Sequence, residues 1–245
     1  MPLDTLARAE FRSGFYPGRP AAWIDEPVTE SEAVTADVAG HLSALADGKR
    51  DFAYPGHDSA VFRILERIVP KWNLARGADI GCATGCFPAM QIAAGVKECT
   101  VYEVRETRVD HPQVRVRIQD LTYDDGPHGE FDIVTCLSTI EHVGLGRYGD
   151  AIDPWGDIKM AESLRKLLRP GGVMLLSFPT GPGCVVFNKH RVYSPYRAAL
   201  LCGGLETLDA VSDRSFVRRY RHKLGAFLGR QGAFMQPIRV LRRPL

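Results

Sequence analysis

The sequence predicts an α/β protein built on one mostly parallel, seven-stranded sheet, with helices on both faces and a helical cap at the N-terminus. Three observations carry this. From residue 75 onward, short apolar runs alternate with helical patterns, at 76–81, 99–104 (CTVYEV), 114–119 (VRVRIQ), 131–137 (FDIVTCL) and 173–178 (VMLLSF). Mostly apolar runs separated by helices imply strands buried on both faces, as in a parallel sheet. The first run turns on closely spaced small residues, ADIGCATG, and passes into an apolar segment reaching Ala94. Two later strands, ETLDAVS from Glu206 and one near Ile238–Leu241, complete the seven.

At 245 residues the chain can bury a large core, and α/β folds of this length are commonly one structural domain. Within it, 1–70 reads as an N-terminal arm and helical cap and 71–245 as the core. A net charge of +2 with 24% charged residues gives no general reason to expect nucleic acid. No apolar run approaches the ~18–20 residues of a membrane span. The start, MPLDTLARAEF, lacks the apolar core and cleavage site of a secretion signal. The six cysteines (82, 86, 99, 136, 184, 202) have no zinc-type spacing and read as reduced thiols of a cytoplasmic protein.

Residues 1–28 carry Phe11, Phe15, Tyr16, Pro17, Pro20 and Trp23 without periodicity, as an arm lying over the core or over a neighbouring subunit would; a homodimer is compatible with this. Thr29 and Glu32 have capping-box spacing, and Val34, Val38, Leu42 and Leu45 follow at helical intervals. Asp58 can cap a second helix with Val61, Ile64, Leu65 and Ile68 on one face, and Pro70 is expected to follow its end. A helix over Ile158–Leu168 stops at Arg169-Pro170-Gly171-Gly172. The basic segment Arg214, Arg218, Arg219, Arg221, Lys223 and Arg230 reads as solvated surface.

The glycine turn is the first functional signal. A strand that turns on glycines into a helix leaves backbone N–H groups uncovered for a ligand. The second strand ends at Glu103, roughly 20 residues on, where a carboxylate can accept both ribose hydroxyls. A dinucleotide or S-adenosylmethionine can use this arrangement. Three features favour the second. The turn is Asp79-x-Gly81-x-Ala83-x-Gly85 rather than G-x-G-x-x-G; Asp79 would repel a pyrophosphate but welcome a cationic amino acid; and Asp120 ends the third strand, suited to an adenine amino group.

In the order D-I-G-C-A-T-G, Y-E-V, Q-D-L, F-D-I-V-T-C-L-S and L-R-P-G-G, residues 75–180 resemble the class I S-adenosylmethionine-dependent methyltransferases and their Rossmann-like fold. The resemblance implies a cofactor site made of Asp79, Ile80, Gly81, Cys82, Ala83 and Gly85 at the methionine end, Glu103 and Val104 at the ribose, Asp120 and Leu121 at the adenine, and Ser138. Ala83 replaces the family's usual central glycine, which its methyl group allows if φ stays negative.

Methyl transfer is an in-line displacement in which the enzyme chiefly positions the nucleophile. An alcohol acceptor must also lose a proton, and His142, just past the fourth strand, is the candidate base. The stretch Ser138-Thr139-Ile140-Glu141-His142 is related to the E-x-x-E-H of some quinone-pathway O-methyltransferases. That relation implies Glu141 and His142 as ligands of a divalent cation such as Mg2+, with Asp153 and Asp157 assisting if their loop folds back.

Residues 130–200, with STIEHVGLGRYGD, DPWGD and VVFNKHRVYSP, resemble a bacterial domain family of unassigned function associated with glycan assembly, and are similar to the methylmannose-polysaccharide 1-O-methyltransferase type. The resemblance implies a small-molecule or oligosaccharide acceptor held by Arg147, Tyr148, Asp150, Asp153, Trp155, Asn188, His190, Arg191 and Tyr193. Of these, Tyr148, Asp153, His190 and Tyr193 join His142 as catalytic candidates. The other reading is that GLGRYGD is an ordered loop and Tyr193-Ser194-Pro195 a helix start. A methyltransferase of phenols or amines, and a non-catalytic nucleoside- or glycan-binding module, remain the functional alternatives.

Overall fold

A computed structural model describes residues 29–50, 52–123, 126–181, 183–211 and 236–245; the N-terminal arm and the basic segment at 214–230 lie outside them. The seven-stranded sheet has the order β10-β11-β7-β6-β2-β3-β5. Its central strand is β2 (Arg76–Ile80), flanked by β3 (Glu98–Glu103) and β5 (Val114–Ile118) on one side. On the other side run β6 (Phe131–Leu137), β7 (Leu168–Ser177), β11 (Ile238–Arg242) and β10 (Glu206–Val211). β11 is antiparallel to both its neighbours, and the remaining pairs are parallel. The chain winds outward from β2 and then returns to β6. It thereby opens a crevice above the C-terminal ends of β2 and β6, the switch point where such sheets bind ligands.

Side-chain alternation separates the two largest of three apolar clusters, the third being formed by Ala36, Val38, Cys82, Ala89, Val101 and Val114. Ile133, Leu137, Val173, Leu175, Ile238 and Val240 meet Val61, Ile64, Leu65 and Ile68 of α2 (Pro55–Trp72) and Met90 of α3 (Cys86–Ala93). Their alternating neighbours Val134, Cys136, Met174 and Leu176 meet Met160, Ala161 and Leu164 of α4 (Gly156–Leu167) and Ala198 and Leu201 of α5 (Pro195–Cys202). Because both faces of β2, β3, β6 and β7 are covered, these strands are buried along most of their length, which is why their apolar runs are visible. Each large apolar side chain buried this way contributes about 1.5–3 kcal/mol. Among the described residues no helix is long and apolar enough to cross a membrane.

Four local expectations are corrected. Val34–Ala36 is a strand, β1, paired in parallel with β4 (Thr107–Val109), and the first helix, α1 (Val38–Ala46), begins only after it. Its cap is Asp37, whose Oδ1 accepts the Gly40 N–H at 2.8 Å, not Thr29. The second helix starts at Pro55, and Asp58 reaches back from its first turn to accept the Tyr54 N–H at 3.1 Å. Pro70 lies inside this helix, which ends at Trp72 and is capped by Asn73 at φ 49°. β7 starts at Leu168 and runs through the Arg-Pro-Gly-Gly stretch, because Gly171 N donates to Arg243 O and Arg243 N to Gly172 O, both at 2.9 Å. A hairpin of β8 (Cys184–Val186) and β9 (His190–Val192) was not anticipated. At Tyr193-Ser194-Pro195 the helix-start reading is the one realised, with Ser194 accepting the Arg197 N–H of α5.

Candidate functional site

The strand-to-helix turn is held open by two glycines with positive φ, Gly81 (78°) and Gly85 (85°). Asn73 and Ser138 are the non-glycine residues with positive φ among those described, so Ala83 keeps the backbone its methyl group requires. Around this turn lie two cavities. The smaller is a cleft of about 120 Å3 at the ends of four strands: Ile80, Gly81 and Ala83 after β2, Tyr102–Arg105 at β3, Gln119–Leu121 after β5, and Ser138 and Thr139 after β6. The larger is a chamber of about 640 Å3 between the same turn and the N-terminal helices. Its wall takes His41 from α1, Tyr54, His57 and Asp58 from the start of α2, and Asp79 with the Cys82–Pro88 turn. Glu141, Pro179, His190 and Gln236 close it. Gly81, Ala83, Ser138, His142 and Tyr148 line both cavities and mark the throat between them.

All eleven residues expected at the cofactor line one cavity or the other, as do His142, Tyr148, His190 and Glu141. Asp79 is buried beneath the turn; Thr135 Oγ1 donates to its Oδ1 at 2.5 Å, and its Oδ2 has no hydrogen-bond partner among the described residues. Burial pushes its pKa up to about 7. Glu103 is turned back on its own strand end, where Oε1 accepts the Val104 N–H at 3.0 Å and Oε2 accepts Arg105 Nη2 at 2.8 Å. Arg105 lies over the Tyr148 ring at 4.8 Å. Asp120 Oδ1 accepts the Thr122 N–H at 2.8 Å. Ser138, at φ 53°, donates its N–H to Ser177 O at 3.1 Å and accepts from Gln236 through its hydroxyl. A non-glycine residue in this conformation at the throat is the kind of strain that collects at ligand sites.

His142 donates its Nδ1–H to the Lys189 carbonyl at 2.5 Å, which leaves Nε2 as the ring's acceptor. Its ring meets Tyr148 edge-on at 5.5 Å and His190 at 6.5 Å. Burial lowers the pKa of both histidines to about 4, so each is neutral at physiological pH. Glu141 is 3% exposed, burial raises its pKa to about 8, and Oε2 has no partner among the described residues.

Two expected catalytic residues are placed elsewhere. Tyr193 is fully buried; its hydroxyl donates to Ile140 O at 3.1 Å and its ring packs on Phe178 at 4.8 Å. Asp153 accepts Lys159 Nζ at 2.7 Å and the Trp155 N–H at 2.9 Å. Neither lines the cleft or the chamber. Most of the polar residues expected on a saccharide likewise hold the loop itself. Asp150, although it reaches the smaller cleft, accepts the N–H groups of Gly144 and Leu145 at 2.7 and 3.2 Å. Arg191 donates to Val143 O, and Arg147 pairs with Glu30 at 2.6 Å. Asp157, the other supposed metal helper, is buried against Arg197 at 2.6 and 2.9 Å. Among the described residues no three His, Cys, Asp or Glu side chains converge as a metal site.

Sequence reasoning missed His57 and Asp58 as lining residues. His57 Nδ1–H donates to Asp58 Oδ1 at 2.9 Å, and its Nε2 accepts from Ser177 Oγ at 3.0 Å. Asp58 reads only as a cap, and nothing local ties that turn to the end of β7.

No curated protein matches the sequence. Solved structures with the same fold include the N-methyltransferase NodS from Bradyrhizobium japonicum WM9, 16% identical, TM-score 0.54, over 79% of this chain and 99% of that one. The [4+2]-cyclase SpnF is 14% identical, TM-score 0.52, over 89% and 99%. The 1,6-didemethyltoxoflavin-N1-methyltransferase of Burkholderia thailandensis, solved with 1,6-didemethyltoxoflavin and S-adenosylhomocysteine, is 17% identical, TM-score 0.52, over 85% and 87%. These likenesses establish a Rossmann-like methyltransferase fold. Residues 97–223, more than half of the chain, match one family model, and the chain therefore belongs to the family described as Caenorhabditis protein of unknown function, DUF268.

Proposed function

We propose that the protein is an S-adenosylmethionine-dependent O-methyltransferase whose acceptor is a hydroxyl of a small saccharide or glycoside. The observation that carries this reading is the pair of cavities meeting at Ser138, His142 and Tyr148. A transferase of this kind needs two ligands held end to end, and a single pocket would not serve.

The cofactor fits the residues present. Asp79, with one carboxyl oxygen unmatched under the glycine turn, suits an ammonium group. Glu103 suits the ribose, with Arg105 giving way, and Asp120 and Leu121 suit the adenine. When bound, the cofactor supplies an electrophilic methyl group on a sulfonium. The chamber has the volume of a small-molecule site. It offers a saccharide the hydrogen-bonding groups of His41, His190 and Gln236 and the aromatic faces of Tyr54, Tyr148 and Phe87.

His142 is oriented by the Lys189 carbonyl, so Nε2 is the atom that takes the hydroxyl proton. A pKa near 4 makes it a weak base toward a free alcohol. An oxygen that is being alkylated becomes strongly acidic, however, and a weak, fixed base then suffices. Tyr148 and His190 pack on the ring and keep water from it. The test is calorimetry with S-adenosylhomocysteine, in which Glu103→Ala should weaken binding by about tenfold or more. Affinity within about a factor of two of the wild type would refute the ribose assignment. An acceptor screen scored by S-adenosylhomocysteine release should give product from saccharides and none from phenols.

A further inference from the structure

The described residues lining the larger chamber include Asp58, Asp79 and Glu141 and no lysine or arginine. Nearby arginines outside the lining are paired: Arg147 with Glu30 and Lys189 O, its Nε having no partner among the described residues, and Arg191 with Val143 O and Asp157. The three carboxyls are not equivalent. Asp58 is occupied at both oxygens, by His57 Nδ1 and by the Tyr54 N–H. Asp79 accepts from Thr135 and sits under the glycine turn, beside the place given to the cofactor's ammonium. Glu141 remains. It is 3% exposed, lines the chamber one residue from the throat histidine, and has Oε2 without a hydrogen-bond partner among the described residues.

A buried carboxylate left without a partner is costly, and the usual remedies are a bound cation or a bound proton. We propose that the chamber selects a cationic acceptor, one that carries a protonated amine, and that Glu141 is the counter-ion of that amine. The inference rests on the reading of this chamber as the acceptor site and narrows it from saccharides in general to aminated ones. An arriving ammonium donates a charge-assisted hydrogen bond to the Glu141 carboxylate. A phosphorylated or carboxylated acceptor would meet these carboxyls and, among the described residues lining the chamber, no lysine or arginine, so the same wall disfavours it.

The experiment is titration calorimetry on the full chain saturated with S-adenosylhomocysteine. The probes are glucosamine, N-acetylglucosamine, glucose 6-phosphate and 1,4-diaminobutane. Glucosamine should bind about tenfold or more tightly than its N-acetyl derivative, and glucose 6-phosphate should not bind. Glu141→Gln, which keeps the volume, should reduce glucosamine to the level of N-acetylglucosamine and leave S-adenosylhomocysteine affinity unchanged. Glu141→Asp should retain part of the preference. Equal binding of glucosamine and N-acetylglucosamine, or a preference that survives Glu141→Gln, would overturn the proposal. Failure of both glucosamine and diaminobutane to bind would overturn it too. Diaminobutane binding while every sugar fails would uphold the charge assignment and overturn the saccharide reading. Failure of S-adenosylhomocysteine to bind would overturn the cofactor reading beneath both.

Discussion

Replacing Gly81 with alanine probes the turn where it is narrowest. Gly81 holds φ 78°, and an alanine kept there costs about 1–2 kcal/mol. Its Cβ would stand 2.5 Å from Thr139 Cγ2 and 2.7 Å from Thr139 Oγ1. Thr139 is not free to rotate away, because its hydroxyl has Ile80 O at 3.0 Å and Leu137 O at 3.2 Å as acceptors. Giving up that hydrogen bond costs about 1 kcal/mol. The sum, about 2–3 kcal/mol, corresponds to a fall in Tm of roughly 4–12 °C for a chain of this size.

Scanning calorimetry measures this directly. The clash and the backbone strain separate in the double variant. Thr139→Ala removes the two nearest atoms and leaves only its Cβ, at 3.1 Å. In the Gly81→Ala background it should therefore recover about 1 kcal/mol, with the strain from positive φ remaining. A Tm unchanged by Gly81→Ala, or strict additivity of the two substitutions, would refute the geometry of the turn. The stabilisation that S-adenosylhomocysteine adds should also shrink in Gly81→Ala, since it depends on affinity for the native turn.

Asp157→Asn leaves Arg197 and Arg191 buried without their carboxylate, and should cost about 3–5 kcal/mol in urea unfolding while leaving both cavities lined as before. Asp79 and Glu141 have folded pKa values of about 7 and about 8, above their ordinary values of 3.8 and 4.5. Raised values mean that the folded state holds these protons more tightly. Their contribution is therefore complete only below the ordinary values and is lost as pH rises from there through 7 and 8. His142 and His190, with folded values lowered to about 4, oppose this only up to their ordinary value of 6.5. The urea midpoint should therefore fall between pH 6.5 and pH 8, and Asp79→Asn with Glu141→Gln should flatten that slope. In the acceptor assay, His142→Ala at saturating substrate should lower kcat by about 100-fold, and unchanged turnover would remove it as the base.

How much could be read in advance depended on whether a residue answers to local or distant constraints. β2, β3, β6 and β7 are covered on both faces, so burial alone wrote their apolar runs. The acids at 79, 103 and 120 were readable because strand ends and a glycine turn have short-range signatures. Val34–Ala36 was misread because it satisfies two periodicities at once, and the choice was made by β4, far along the chain. β7 outran its expected start because the C-terminal strand supplies hydrogen bonds that only the folded chain brings near Gly171.

The residues after 138 pose a deeper ambiguity, since a side chain that ties its own loop has the same composition as one that holds a ligand. Asp150, Asp153, Arg191 and Tyr193 looked like sugar contacts, yet each has its bonds met by neighbouring backbone or by a paired side chain. Asp58 shows the converse, reading as a helix start while forming, with His57, a wall of the chamber. Residue type cannot separate these cases, but the state of each hydrogen-bonding group can. A polar side chain whose bonds are complete within the fold has no claim on a ligand, whereas a buried one left incomplete requires something the fold does not contain. By that criterion the loop's polar richness says little about the acceptor. Glu141 says more, because its Oε2 is buried at the chamber with no donor among the described residues.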